Sequence, residues 1–171
     1  MKKIIAVMCA LAVVGRVAFE MLPQFKPVAA LVIISGIMLG GEAGFLVGAT
    51  SAFVSNFFFG QGPWTPWQMF AWGLIGFIAG LLSKAGLLKK KWQMVVFGVA
   101  SGYIYGWILN IWNGAGFVYG LSWQTYLSLC VTSIIPDGIH SAATVIFLLL
   151  LSDSWGAKLR RVKQKFGILS S

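Results

Sequence analysis

The sequence predicts an all-α membrane protein: one domain, residues 1–171, folded as a compact bundle of six transmembrane helices with both termini cytoplasmic. Three observations predict it. First, 58% of the residues are hydrophobic and only 10% are charged, where a soluble domain carries about 25% charged. Second, apolar runs recur between Pro- and Gly-rich breakers, most of them close to the ~20 residues that one bilayer span needs. Third, the basic residues fall in clusters that six spans bring to one side. The same composition excludes a soluble globular or disordered chain. It also excludes a nucleic-acid binder despite the net charge of +9, because a basic reading head needs a soluble body to present it. Transmembrane strands alternate apolar and polar residues, and these runs do not alternate.

The first span runs from Ile4 to about Leu22 and is closed by Pro23, which cannot continue a helix. The second, Pro27 to Gly41, is short at 15 residues. Gly40-Gly41-Glu42 forms a tight turn into the third, Ala43 to Phe59, since glycine tolerates the backbone angles of a turn. The fourth covers about Pro66 to Leu82, the fifth Trp92 to about Ile111, the sixth Tyr126 to Leu151. Ile135-Pro136 predicts a kink within the sixth. Small residues recur at helical spacing: Gly36 and Gly40; Gly44, Gly48 and Ala52; Gly76 and Gly80; Gly98, Gly102 and Gly106. Each stripe predicts close helix packing inside the bundle.

Lys2 and Lys3 precede span one. Lys84, Lys89, Lys90 and Lys91 lie between spans four and five. Lys158, Arg160, Arg161, Lys163 and Lys165 follow span six, in a basic cytoplasmic tail of about residues 153–171. Eleven of the 13 basic residues thus share one side, which is therefore cytoplasmic. Lys26, in an outer loop, and Arg16, inside span one, are the exceptions. Arg16 and Glu20 also argue against a cleaved signal peptide, since they stand where a small uncharged cleavage region belongs.

Polar residues in apolar surroundings are expensive and mark function. Arg16 lies ~18 Å along the helix from Ile4, in the outer half of the membrane. Glu20 follows one turn later on the same face. The two form either a neutralising pair or the charged wall of a water-accessible pocket. Asp137 and His140 share a face of span six. They suit a proton relay, a ligand-site wall or a link to Arg16. Cys9 and Cys130 form neither a disulfide framework nor a metal spacing. With one histidine and no complete acid–base or nucleophile set, the chain is not expected to be an enzyme or to hold a metal.

Two outward loops carry a second group of candidates. Ser55 to Gln68 holds Asn56, Gln61, Trp64, Trp67 and Gln68 among glycines and prolines that fix its shape. Asn110 to Trp123 holds Asn110, Trp112 and Asn113. Flat aromatic faces with amide donors and acceptors fit a small-molecule pocket better than a plain interfacial belt. Ala6 and Ala10 form a smooth i,i+4 face near the cytoplasmic end of span one, where close packing is the simplest reading.

Taken together these features resemble the S component of energy-coupling factor (ECF) transporters, the substrate-binding membrane subunits of a class of prokaryotic ABC importers. The resemblance rests on the six spans, Ala6-x-x-x-Ala10, the basic tail and the rigid loops. Its local match is Gly41-Glu42-Ala43-Gly44-Phe45-Leu46-Val47-Gly48-Ala49, leading into Ser55-Asn56 and then Gly62-Pro63-Trp64. It implies a multi-pass protein of a prokaryotic cell membrane that binds a vitamin-like molecule at its outer face. It implies docking on a transmembrane coupling subunit driven by two cytoplasmic ATPases, with Ala6 and Ala10 at that contact. The chain contains no G-x-x-x-x-G-K-[ST] phosphate loop, so ATP belongs to the partners and no cofactor is expected here. The run Gly60-Gln61-Gly62-Pro63-Trp64-Thr65-Pro66-Trp67 is most similar to S components associated with cobalamin or related corrinoids, although a flavin, pterin or pantothenate also suits the loops. The alternative is a small stand-alone secondary transporter or channel that uses Arg16, Glu20, Asp137 and His140 as an ion path.

Overall fold

The computed structural model describes residues 2–117 and 122–165. Seven α-helices make up these residues: α1 Lys2–Ala18, α2 Val28–Leu39, α3 Gly41–Phe59, α4 Thr65–Lys84, α5 Lys91–Phe117, α6 Trp123–Thr132 and α7 Ile134–Lys165. Three are long and apolar enough to cross a membrane, over Thr65–Lys84, Lys91–Ala115 and Ile134–Ser154.

The helix α2 forms the centre. Its 12 residues are apolar on nearly every side, and all but Ile37 and Met38 are buried. An all-round apolar helix belongs in the interior. It packs against α1, α3, α4, α5 and α7. Met8, Ile33, Val47, Ile75 and Leu148 fill the core around it. Exposed Phe57, Phe58, Ile135 and Leu150 leave the exterior strongly apolar.

Glycine places α3 against α4 and both against α2. A side chain at Gly76 would strike the backbone of Gly44. One at Gly36 would strike the backbone of Gly76, and one at Gly48 that of Trp72. A second seam joins α5 to α7, where Gly98 meets Leu148 and Val145, Gly102 meets Ser141, and Gly106 meets the Asp137 carboxyl. Gly40, at φ +98°, turns α2 directly into α3.

Two expectations are corrected here. The sixth span is not one kinked helix: it breaks at Ser133 into α6 and α7. Pro136 lies in the first turn of α7, where a missing N–H disturbs no helical hydrogen bond. The helix α1 ends at Ala18, so Arg16 and Glu20 do not share a helical face. Residues 118–121 of the second loop and 166–171 of the tail lie outside the described residues.

Candidate ligand-binding cavity

A polar cavity of about 280 Å³ opens at the end of the bundle where α1 finishes and α2 and α4 begin. Arg16, Gln24, Lys26, Val28, Gln68, Trp72, Tyr105, Leu109, Asn113 and His140 line it. Its volume is near the lower end of the ~300–1,000 Å³ usual for small-molecule sites.

Arg16 occupies the last turn of α1 and is buried. Its Nη1 donates to Ser55 Oγ and, at 2.8 Å, to Asn56 Oδ1. The guanidinium lies 4.6 Å from the Phe59 ring centre and 4.9 Å from that of Trp72. Asn56 has only 1% of its surface exposed. Its Nδ2 donates to Thr65 Oγ1 at 2.9 Å and Gln68 Oε1 at 2.7 Å. Thr65 donates to Gln61 Oε1 at 3.0 Å, and Gln61 Nε2 donates to the Phe53 carbonyl at 2.8 Å. This chain of bonds clips the α3–α4 loop to α3 and fixes Gln68 at the cavity wall.

The opposite wall is aromatic. Trp72 and Tyr105 stack with centres 5.2 Å apart, and the His140 ring lies 4.9 Å from Tyr105. At the rim, Lys26 Nζ stands 4.6 Å from the Phe59 ring centre. Burial pushes its ammonium below the usual lysine range; Arg16 adds to that and Glu20 opposes it. Gln24 beside it has φ +60°, a left-handed conformation that non-glycine residues rarely hold.

Of the residues singled out in the sequence, Arg16, Gln68, Asn113 and His140 line this cavity, with Asn56 directly behind them. Gln61 clips the loop from outside. Trp64 lies over Gly62, and neither it, Trp67 nor Trp112 lines the cavity. Glu20 is exposed beyond the end of α1. Asp137 does not line the cavity but is connected to it through Asn113. Asn113 Nδ2 donates to Asn110 Oδ1 at 3.4 Å, Asn110 Nδ2 to Ser133 Oγ at 2.9 Å, and Ser133 Oγ to Asp137 Oδ2 at 2.8 Å. That chain of bonds ties α5 to the α6–α7 break. Of Arg16, Glu20, Asp137 and His140, the structure thus places Arg16 and His140 in the lining, Asp137 at the end of the Asn113 chain and Glu20 outside. Gln24, Lys26, Val28, Trp72, Tyr105 and Leu109 were not anticipated as lining residues. Lys26 had a signal, as a cation in the wrong loop for the charge rule; Trp72 and Tyr105 looked like ordinary packing.

A wider groove of about 660 Å³ lies on the flank between α1 and α3. It contains Ala6 and Ala10, both exposed. Its lining is apolar except for Lys2, Cys9 and Thr50, so it lacks the placed polar groups that orient a soluble ligand.

An apolar exterior thus surrounds a polar, aromatic-walled cavity. The chain belongs to the family described as ECF transporter, substrate-specific component, whose model matches residues 3–152. Among curated proteins it is 30% identical over 118 residues to a UPF0397 protein of Aliivibrio fischeri strain MJ11, covering 61% of this chain and 63% of that protein. It is 29% identical over 124 residues to a UPF0397 protein of Aliivibrio salmonicida strain LFI1238, covering 70% of this chain and 65% of that one. The chain thus matches less than two thirds of the length of these relatives. No solved structure matches it.

Proposed function

We propose that this protein is the substrate-capturing subunit of an ECF importer in a prokaryotic cell membrane. It takes a small water-soluble nutrient into the cavity of Arg16, Gln68, Trp72, Tyr105 and His140. A transmembrane coupling subunit and two ATPases then drive delivery. The polar cavity at one end of an apolar body carries this reading. The basic connection Lys84–Lys91 lies at the opposite end of the bundle from the cavity. By the positive-inside rule that end faces the cytoplasm, so the cavity faces outward. The cavity lies near the lower end of small-molecule sites, and entry of an intact corrinoid requires the segments around the rim to move apart. The cavity's size favours a smaller nutrient over the cobalamin suggested by residues 60–67.

Reconstitution tests the proposal. Alone in liposomes the protein is expected to bind its nutrient without accumulating it. With an ECF coupling subunit, its ATPases and ATP, it is expected to concentrate it. Accumulation by the lone chain under a proton or sodium gradient would overturn the proposal in favour of a stand-alone carrier.

The flank groove supplies a second test. Ala6→Leu with Ala10→Leu places two bulky side chains on an exposed helix face, away from the cavity, where they obstruct close approach by another helix. Uptake is expected to fall at least tenfold while affinity, measured by titration of the purified variant, stays within about twofold of the parent. Equal loss of both would mean that this face supports the bundle rather than a partner.

A further inference from the structure

We propose that the ligand is a compact ring compound carrying a carboxylate, held by Arg16, Lys26 and Trp72 against the ring stack of Trp72 and Tyr105. This rests on the reading of the cavity as the nutrient site.

Two cations meet at the cavity and no carboxylate lines it; Glu20 acts on Lys26 from outside the lining. Arg16 is buried and Lys26 half-buried, and both stand 4.6 Å from the same Phe59 ring centre. Among the described residues the salt bridge is Lys91–Asp153, which lies at the other end of the bundle. Asp137 is bonded to Ser133 and faces Gly106 rather than the cavity. Glu20 is exposed and does not line it. Unneutralised cations in a low-dielectric interior are costly, and an anionic ligand removes that cost on arrival.

The free donors point the same way. The hydrogen bonds of Arg16 to Ser55 and Asn56 both leave from Nη1; its Nη2 and Nε take no part in them. That edge offers the paired N–H geometry that a carboxylate accepts. Independently, Trp72 is only 4% exposed, lines the cavity, and its Nε1 has no hydrogen-bond partner. An indole N–H donates only, and a buried donor is rarely left unpaired. A ligand acceptor completes it. Gln68 spends its Oε1 on Asn56 and its amide also meets the Tyr105 hydroxyl, so it braces the cavity wall. The stacked rings supply a flat apolar wall, and the small volume selects a compact ring.

The test is equilibrium dialysis of the purified full-length protein, with retained compounds measured by mass spectrometry. The probes are matched pairs at about 1 mM each, so that weak binding is scored. They are nicotinate with nicotinamide, biotin with biotinamide and 4-aminobenzoate with 4-aminobenzamide, alongside riboflavin, thiamine and cobalamin. At least one acid is expected to be retained tenfold or more over its amide. That preference is expected to collapse in Arg16→Gln and in Lys26→Gln, and to shrink in Trp72→Phe, which keeps the ring and removes the N–H. Lys26 lies in a loop, so Lys26→Gln reports on charge even where Arg16→Gln fails to fold. Retention of an amide, riboflavin, thiamine or cobalamin unaffected by Lys26→Gln overturns the charge inference and leaves the transporter reading standing. Retention of nothing counts against both.

Discussion

Gly76→Val is expected to leave little folded protein. A Cβ at this position meets the Gly44 carbonyl group and lies 2.8 Å from Val32 Cγ1. Overpacking a core normally costs about 1–3 kcal/mol because side chains rearrange. Here the obstacle is backbone on the neighbouring helix, and Gly36 and Gly44 both depend on the same carbonyl group of Gly76. Relief therefore requires α4 to part from α2 and α3 together. Size-exclusion profiles and thermal unfolding in detergent measure the outcome. Gly138→Ala is the comparison, since the contact there is the Tyr103 hydroxyl at 3.4 Å, and it is expected to elute and melt like the parent. If Gly76→Val does the same, the three helices are not in backbone contact.

Asn56→Leu is expected to damage both stability and binding. The side chain is buried, and the substitution keeps its approximate bulk while removing every polar atom. Arg16 then loses one of its two acceptors, Thr65 and Gln68 lose their donor, and the α3–α4 loop loses its link to α3. A buried polar group left unpaired costs about 1–3 kcal/mol, and more for a charged one. Several such losses give a destabilisation on the order of 3 kcal/mol. Because Asn56 positions Arg16 and Gln68 without lining the cavity itself, affinity is expected to fall about a hundredfold even where the protein remains folded. A variant with parental melting and affinity would show that the amide network does not position the site.

What the sequence revealed, and what it hid, follows from which quantity each residue reports. Apolar runs located α3 and α4 closely, because hydropathy tracks burial in lipid or protein. It does not track the helix axis, so the break at Ser133 inside a continuous apolar run left no trace. Pro136 drew attention instead, although a proline in a first turn is harmless. Arg16, Gln68, Asn113 and His140 stood out because polar groups in apolar surroundings need a reason. Trp72 and Tyr105 did not, since aromatic residues at helical spacing look the same whether they face a neighbouring helix or a cavity. Trp64 and Trp67 stand outside the cavity lining, in the loop that Gln61 and Thr65 clip to α3. The pairing of Arg16 with Glu20 assumed a helix through Leu22. Once α1 stops at Ala18, the arginine turns to α3 and the glutamate to the surface.

The glycine seams have a mechanical consequence. Helices α2, α3 and α4 touch backbone to backbone at Gly36, Gly44 and Gly76. They form a stiff chassis that shifts as a unit or not at all. In contrast, α6 buries none of its residues and meets α5 through links such as Asn110 to Cys130 Sγ and Tyr126 to the Trp107 carbonyl. The segment between α1 and α2, which bears Gln24 and Lys26, makes one such close contact, at its end, where the Pro27 ring sits on Gly15. Widening of the cavity rim is therefore expected first in the α1–α2 segment, whose Gln24 and Lys26 line it, while the chassis keeps its place.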